Sequence, residues 1–289
     1  MKSMNTVLKR LARHLGWRTR EAAEQLDLGA FSIELPPGHL LPHYQSRHPR
    51  YDRFLPHLAS HLPAASTVID VGANCGDTVA AMASRNAALG YLCIEPDPVF
   101  HAYLLRNAQR LRSALPGLRL QTLQAMVGKA VVSASLEGGG GSRHAKPGEN
   151  GHRTATLDDL LAPLDMAPVA LLKSDVDGFD FDVLRSAPLL LERQRPLLFF
   201  ECQIDDEAQR QGFQELLPWL QAAGYTRWAA FDNFGEVMLA NTEPGQIAQL
   251  LDYIWQQTRQ RSTRTVYYLD LLAGSADAAP CIDAALSRY

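Results

Sequence analysis

Thr67-Val68-Ile69-Asp70-Val71-Gly72-Ala73-Asn74-Cys75-Gly76-Asp77 starts as a β-branched apolar run, turns on two glycines and leads into the helix formers Thr78-Val79-Ala80-Ala81-Met82-Ala83. That order predicts a buried parallel strand, a tight turn and a helix N-terminus. Tyr91-Leu92-Cys93-Ile94-Glu95-Pro96-Asp97 predicts a second strand with a carboxylate at its tip. A carboxylate about 20 residues past the first turn of a βαβ unit is placed to accept hydrogen bonds from both hydroxyls of a ribose. The stretch therefore reads as a nucleoside cradle. Its plainer reading is an ordinary βα turn in which glycines relieve strain and Asp77 caps the helix.

A dinucleotide site needs Gly-x-Gly-x-x-Gly, because the pyrophosphate must approach the backbone and rest on the helix N-terminus. Here the spacing is Gly72-x-x-x-Gly76, with Asn74 in place of the second glycine and Asp77 adding negative charge where a phosphate would come. A nucleoside that lacks phosphate and tolerates carboxylates fits better. S-adenosylmethionine has ribose hydroxyls, a sulfonium and an ammonium, so its amino-acid end is expected near Asp70, Gly72 and Asn74 and its ribose at Glu95.

The 289 residues suffice for one large α/β domain with extensions or for two small domains. The apolar fraction of 46% and charged fraction of 20% are those of a soluble globular protein, and no apolar run approaches a membrane span. A net charge of −3 makes no electrostatic case for a nucleic-acid partner. Cys75, Cys93, Cys202 and Cys281 show no CxxC or zinc spacing, so buried thiols in a reducing cytoplasm are expected. Residues 1–20 carry Lys2, Lys9, Arg10, Arg13, Arg18 and Arg20 with no acid, and Leu8, Leu11 and Leu15 share a helical face. Such a basic amphipathic helix suits a membrane surface or a partner, or packs its leucines on the body of the chain; we favour packing.

Strands and helices alternate through the rest, which predicts a mostly parallel sheet covered on both faces. Helices are expected at 100–115, 181–191, 208–223 and 244–259, with Thr156 capping a short one before Asp158-Asp159. Strands are expected at 118–123, 168–173, 195–201 and 265–271, and 228–231 and 237–239 flank an Asp-Asn-Phe-Gly turn. Residues 124–136 are expected as an edge hairpin or continuation. The six glycines over 137–153 predict a loop, either a lid or a surface insertion. Ligands bind beyond the carboxyl ends of the strands in such a sheet, where this chain places Asp70, Glu95, Asp175 and Glu201. Acids gathered at one crevice repel one another and call for a cationic ligand, a metal or shared protons.

Val68-Ile69-Asp70-Val71-Gly72-Ala73-Asn74-Cys75-Gly76-Asp77-Thr78, Glu95-Pro96-Asp97-Pro98 with Leu105 and Asn107, Thr156-Leu157-Asp158-Asp159-Leu160, and Leu172-Lys173-Ser174-Asp175-Val176-Asp177-Gly178-Phe179-Asp180 occur in that order. Together with Pro196 to Glu201, they resemble the FkbM-type S-adenosylmethionine-dependent methyltransferases over roughly residues 52–225. The resemblance implies a class I methyltransferase (Rossmann-like) fold, with a mostly parallel seven-stranded sheet that includes one antiparallel strand, and helices on both faces. It also implies methyl transfer to hydroxyl groups, in a family associated with natural-product and carbohydrate tailoring. Asp177 departs from the Glu more common in the family's Asp-Val-Glu-Gly motif. Residues 1–60 are read as an N-terminal helical cap and 61–289 as the cofactor domain.

The candidate cofactor-binding set is Asp70, Gly72, Ala73, Asn74, Gly76, Asp77, Glu95, Pro96 and Met126. In-line transfer to a hydroxyl needs positioning and a base. Asp175 is the first candidate for the base and Asp177 the second; alternatively Asp175 holds the loop backbone and Asp177 caps the helix near Asp180. A shared Mg²⁺ on Asp175 and Glu201 lacks a recognisable third ligand, so no metal ligand is assigned. His39, His43 and His48 receive no catalytic role. Trp228, Phe231 and Phe234 line the acceptor pocket or simply pack. The expected activity is O-methylation of a small-molecule hydroxyl, for instance on a sugar or secondary metabolite. Its rivals are a dinucleotide oxidoreductase and a non-catalytic nucleoside-binding protein acting through the basic helix.

Overall fold

The computed structural model describes residues 24–129, 133–137, 144–147, 152–260 and 264–289. The basic segment 1–20 lies outside them. The described part of the N-terminal region is not wholly helical: β1 (Glu24–Asp27) and β2 (Ser32–Leu35) form an antiparallel hairpin, followed by α1 (Leu41–Arg47) and α2 (Phe54–Ala59). Local pattern missed the hairpin because its anchor is distant in sequence. Asn107 accepts from the Glu34 N–H (2.8 Å) and donates to the Glu34 and Cys75 carbonyls, both at 2.8 Å.

The opening stretch folds as read. β3 (Thr67–Val71) is buried throughout, the turn is left-handed at Gly72, Asn74 and Gly76, and α3 (Asp77–Arg85) follows. β4 (Gly90–Ile94) leads to α4 (Pro98–Ala114), which Asp97 caps by accepting from the Val99 and Phe100 N–H groups. β5 (Arg119–Leu123) completes this wing of the sheet. A small second sheet comprises β6 (Met126–Val127), β7 (Ser133–Glu137), β8 (His144–Pro147) and β9 (His152–Ala155) in the order β6-β9-β7-β8. The stretch 137–153, read as a loop, thus contains two strands. Their own sequence carries no periodic apolar pattern, and pairing with β7 supplies the order that composition did not.

Beyond α5 (Leu157–Leu161), where the Thr156 hydroxyl accepts from the Asp159 N–H as expected, comes β10 (Val169–Ser174). The single helix expected over 181–191 is two, α6 (Asp180–Arg185) and α7 (Pro188–Gln194). Pro188 forces the break, because its ring pushes Ala187 out of helical geometry and it has no N–H to continue the ladder. β11 (Leu197–Gln203), α8 (Glu207–Ala222), β12 (Tyr225–Asp232), β13 (Val237–Thr242), α9 (Pro244–Gln260), β14 (Tyr268–Ser275) and α10 (Ala279–Ser287) complete the chain.

The main sheet runs β13-β12-β14-β11-β10-β3-β4-β5. It has eight strands rather than seven, and two of them, β13 and β14, run antiparallel to the rest. The additional strand comes from the tight turn after β12. There the Asp232 carboxylate accepts from the Phe234 and Glu236 N–H groups, and Gly235 is left-handed, so the chain returns along β12. The last strand runs Tyr268–Ser275, later than expected, because Leu271, Leu272 and Ala273 are the residues that fill the core. Alternating strand residues serve opposite apolar layers: Val68 and Phe199 pack with α3 and α4, Ile69 and Phe200 with α6, α8 and α9.

Candidate active site

The carboxyl ends of β3, β4, β10 and β11 and the start of β14 open on one cavity of about 780 Å³, covered from above by residues 39–55. Its wall includes Gly72, Asn74, Asp77, Glu95, Pro96, Met126, Asp175 and Asp177. Eight of the eleven residues singled out from sequence are therefore brought together. Asp70, Ala73 and Gly76 stand behind the wall.

Each of the three is tied into the framework behind the cavity. Asp70 is fully buried and faces the Lys173 ammonium at 2.9 Å, an ion pair whose geometry is not that of an aligned hydrogen bond. Burial raises the Asp70 carboxyl and the Lys173 charge opposes that rise. Burial also works against the Lys173 ammonium, but Asp70 and Asp175 outweigh it and hold the proton on. Lys173 donates to the Gly72 carbonyl as well (3.1 Å), tying the first turn to β10. A Cβ at Gly72 would overlap the Asp175 carbonyl oxygen, so only glycine lets the β3 and β10 loops meet. Ala73 donates to the Ile94 carbonyl, and Gly76 leaves room for Leu104.

Glu95 is buried at the tip of β4. Its carboxylate accepts from the Asn74 N–H and the Asp97 N–H, each at 2.8 Å. Burial nonetheless pushes its pKa up to about 7. On the far side, the tip of β10 is held by Asp180, which sequence reading did not single out. One oxygen of this buried carboxylate accepts from the Ser174 hydroxyl (2.6 Å) and the Val176 N–H (3.2 Å). Asp180, rather than Asp175, thus holds the loop backbone, and Phe179, rather than Asp177, stands at the N-cap of α6. Asp175 is left half-exposed in the cavity, 3.5 Å from Lys173. Asp177 has left-handed backbone.

Sequence reading also missed Tyr51, Asp52, Tyr268 and Asp270, which line the cavity together with Glu201. The Tyr51 and Tyr268 side chains are close electrostatic neighbours. Crowding by protein and the charges of Asp77 and Asp175 push Asp52 up to about 7, although it opens to solvent through the cavity and water relieves part of that push. The only hints in sequence were the acids themselves, since Tyr289 brings residue 50 in by donating to its carbonyl from the far end of the chain. Among the aromatic residues, Phe234 lines the cavity and stacks on His48 at 4.1 Å, whereas Trp228 and Phe231 belong to the core. His39 lines the cavity and His43 is exposed on α1.

Among the described residues no group of three or more His, Cys, Asp or Glu is arranged to hold a metal ion, and no helix is long and apolar enough to cross a membrane.

The methyltransferase FkbM domain model matches residues 70–227, more than half of the chain. No curated protein matches. Among solved structures, the chain is similar to methyltransferase FkbM from Methylobacillus flagellatus KT, with 14% identity, a TM-score of 0.40, and coverage of 80% of this chain and 58% of that one. It is similar to an O-methyltransferase from Bacillus cereus in complex with SAH (11%, 0.45, covering 82% and 88%). A third likeness is to the METTL16 methyltransferase domain (13%, 0.46, covering 85% and 73%).

Proposed function

The chain belongs to the FkbM methyltransferase family, and on that premise we propose that it carries a methyl group from S-adenosylmethionine to a hydroxyl oxygen of a small molecule, such as a sugar or secondary metabolite. The observation that carries this reading is one continuous cavity. It runs from the Gly72–Asp77 turn and Glu95 to Asp175 at the tip of β10. A cavity of this size holds a nucleoside and an acceptor together. The turn fits a nucleoside without phosphates. Gly72 is spent on backbone contact with the β10 loop, Gly76 gives room to Leu104, and Asp77 sets negative charge on the wall where a pyrophosphate would lie.

When bound, the sulfonium supplies a methyl group for in-line displacement and leaves as a thioether. Glu95 holds the ribose. Asp175 takes the acceptor hydroxyl's proton as the oxygen–carbon bond forms, and Lys173, fixed on Asp70, restrains the Asp175 carboxylate. The buried free thiols Cys75, Cys93 and Cys202 support a reducing, cytoplasmic setting.

Calorimetry with S-adenosylmethionine, S-adenosylhomocysteine and NAD tests the reading. Both sulfur nucleosides bind and NAD does not. Glu95→Ala weakens the two by about 1.5–3 kcal/mol, the worth of charge-assisted hydrogen bonds. Binding of NAD alone, or of neither sulfur nucleoside, contradicts it.

A further inference from the structure

Glu201 on β11 and Asp270 on β14 are directly opposed cross-strand neighbours. Side chains opposed in this way project from the same face with Cβ atoms about 4.5–5.5 Å apart, and like charges there destabilise the sheet. On the same face, one strand further in, β10 delivers Lys173 beside Phe199 and then Asp175 beyond it. Three carboxylates therefore stand in a row across the acceptor half of the cavity, at the tips of three adjacent strands. Glu201 is only 6% exposed, lines the cavity, and one of its carboxylate oxygens has no hydrogen-bond partner among the described residues. A buried carboxylate oxygen left unpartnered costs stability that an internal partner could have relieved.

The cations lining this cavity are already engaged elsewhere. Lys173 is held by Asp70 and Asp175. Arg264 at the rim lies 3.5 Å from Asp205 and also donates to the Thr258 hydroxyl. Neither forms an ion pair with Glu201 or Asp270. In the proposed reading the sulfonium faces Asp175 on β10, one strand short of Glu201 and two short of Asp270, so the carboxylate it meets is Asp175.

We propose that the methyl acceptor carries, besides its reacting hydroxyl, a protonated amine that binds between Glu201 and Asp270. The proposal rests on the function proposed above and names the acceptor's chemistry. An ammonium group has three N–H donors and imposes no fixed coordination, so it takes oxygens from both strands at once. A divalent cation asks for six or more oxygens, and the described residues do not present that arrangement. The amine anchors the acceptor by charge, and the hydroxyl is left to approach Asp175.

The test begins with protein loaded with saturating S-adenosylhomocysteine. Glucosamine and glucose, which differ by one amine, are then titrated at neutral pH by calorimetry with and without Mg²⁺. Glucosamine is expected to bind about tenfold or more tighter than glucose without Mg²⁺. Glu201→Gln and Asp270→Asn should each remove that preference while the Kd for S-adenosylhomocysteine stays the same, which also shows that the variants are folded. Equal binding of the two sugars, no binding of glucosamine, a preference that survives in both variants, or one that needs Mg²⁺ overturns the proposal. Failure to load with S-adenosylhomocysteine instead sinks the function reading on which the proposal stands, so the two failures are told apart.

Discussion

The wall of the cavity along β3 and β4 comes from one short stretch of chain, Gly72 to Pro96, and much of what it presents is backbone held by glycine geometry and by Glu95. The wall along β10, β11 and β14 is assembled from residues 39–55, 173–179, 199–205, 233–234 and 264–270, and what it presents is side-chain charge. The difference teaches which part of such a molecule is general and which is particular. A cradle for a common nucleoside can be encoded in one βαβ unit. A pocket for a particular acceptor is gathered by the topology of the whole sheet, and any of its pieces can change without disturbing the cradle.

The comparison breaks first at Asp175. Asp175→Asn should lower kcat by about 10²–10⁴-fold, the usual worth of a general base, with no change in the Kd for S-adenosylhomocysteine. A methyl-transfer assay and calorimetry on the same preparation read the two halves separately. An unchanged kcat would assign the base elsewhere, and a changed cofactor Kd would show that the halves are not independent.

Next in size is the joint between them. Lys173→Met strands the buried Asp70 carboxylate and removes the donor to the Gly72 carbonyl. Losing one partner of a buried ion pair costs about 3–5 kcal/mol, to be read by urea denaturation. A loss no larger than that of an exposed ion pair would mean that Asp70 takes up a proton and needs no partner.

The smallest effect is a pH dependence confined to the cradle. Burial raises Glu95 from its ordinary 4.5 to about 7, and its ionised form is the one that accepts from ribose. Affinity for S-adenosylhomocysteine is therefore expected to be flat above pH 7 and to fall below it, by about 1.4 kcal/mol per pH unit. Glu95→Gln should flatten the curve. The sign for stability is opposite. The folded pKa lies above the unfolded one, so the cost of burying the ionised group is present above pH 7 and is relieved as pH falls toward 4.5. Calorimetric titrations from pH 5 to 8 check the binding limb.

The same contrast explains how much could be read in advance. The βαβ unit, the alternating strands and the rim of Glu95, Asp175 and Glu201 follow from local pattern, because apolar periodicity and glycine spacing act over a few residues, whereas Asp70, expected on that rim, stands behind it on Lys173. Asp52 and Asp270 carried no local mark. They reach the cavity only because Tyr289 draws residue 50 inward and because β14 inserts between β11 and β12. Asp180 belongs to the motif that follows β10, but its hold on Ser174 and Val176 is made only when α6 folds back on the loop. The break at Pro188, by contrast, is a local signal.

The most direct test of the account is a crystal structure of the complex with S-adenosylhomocysteine. It should show the ribose hydroxyls on Glu95, the amino-acid end against the Gly72–Asp77 turn, and the sulfur turned toward Asp175 with the space before Glu201 and Asp270 left for the acceptor. A nucleoside lying instead over β11 and β14, with Glu95 untouched, would contradict it.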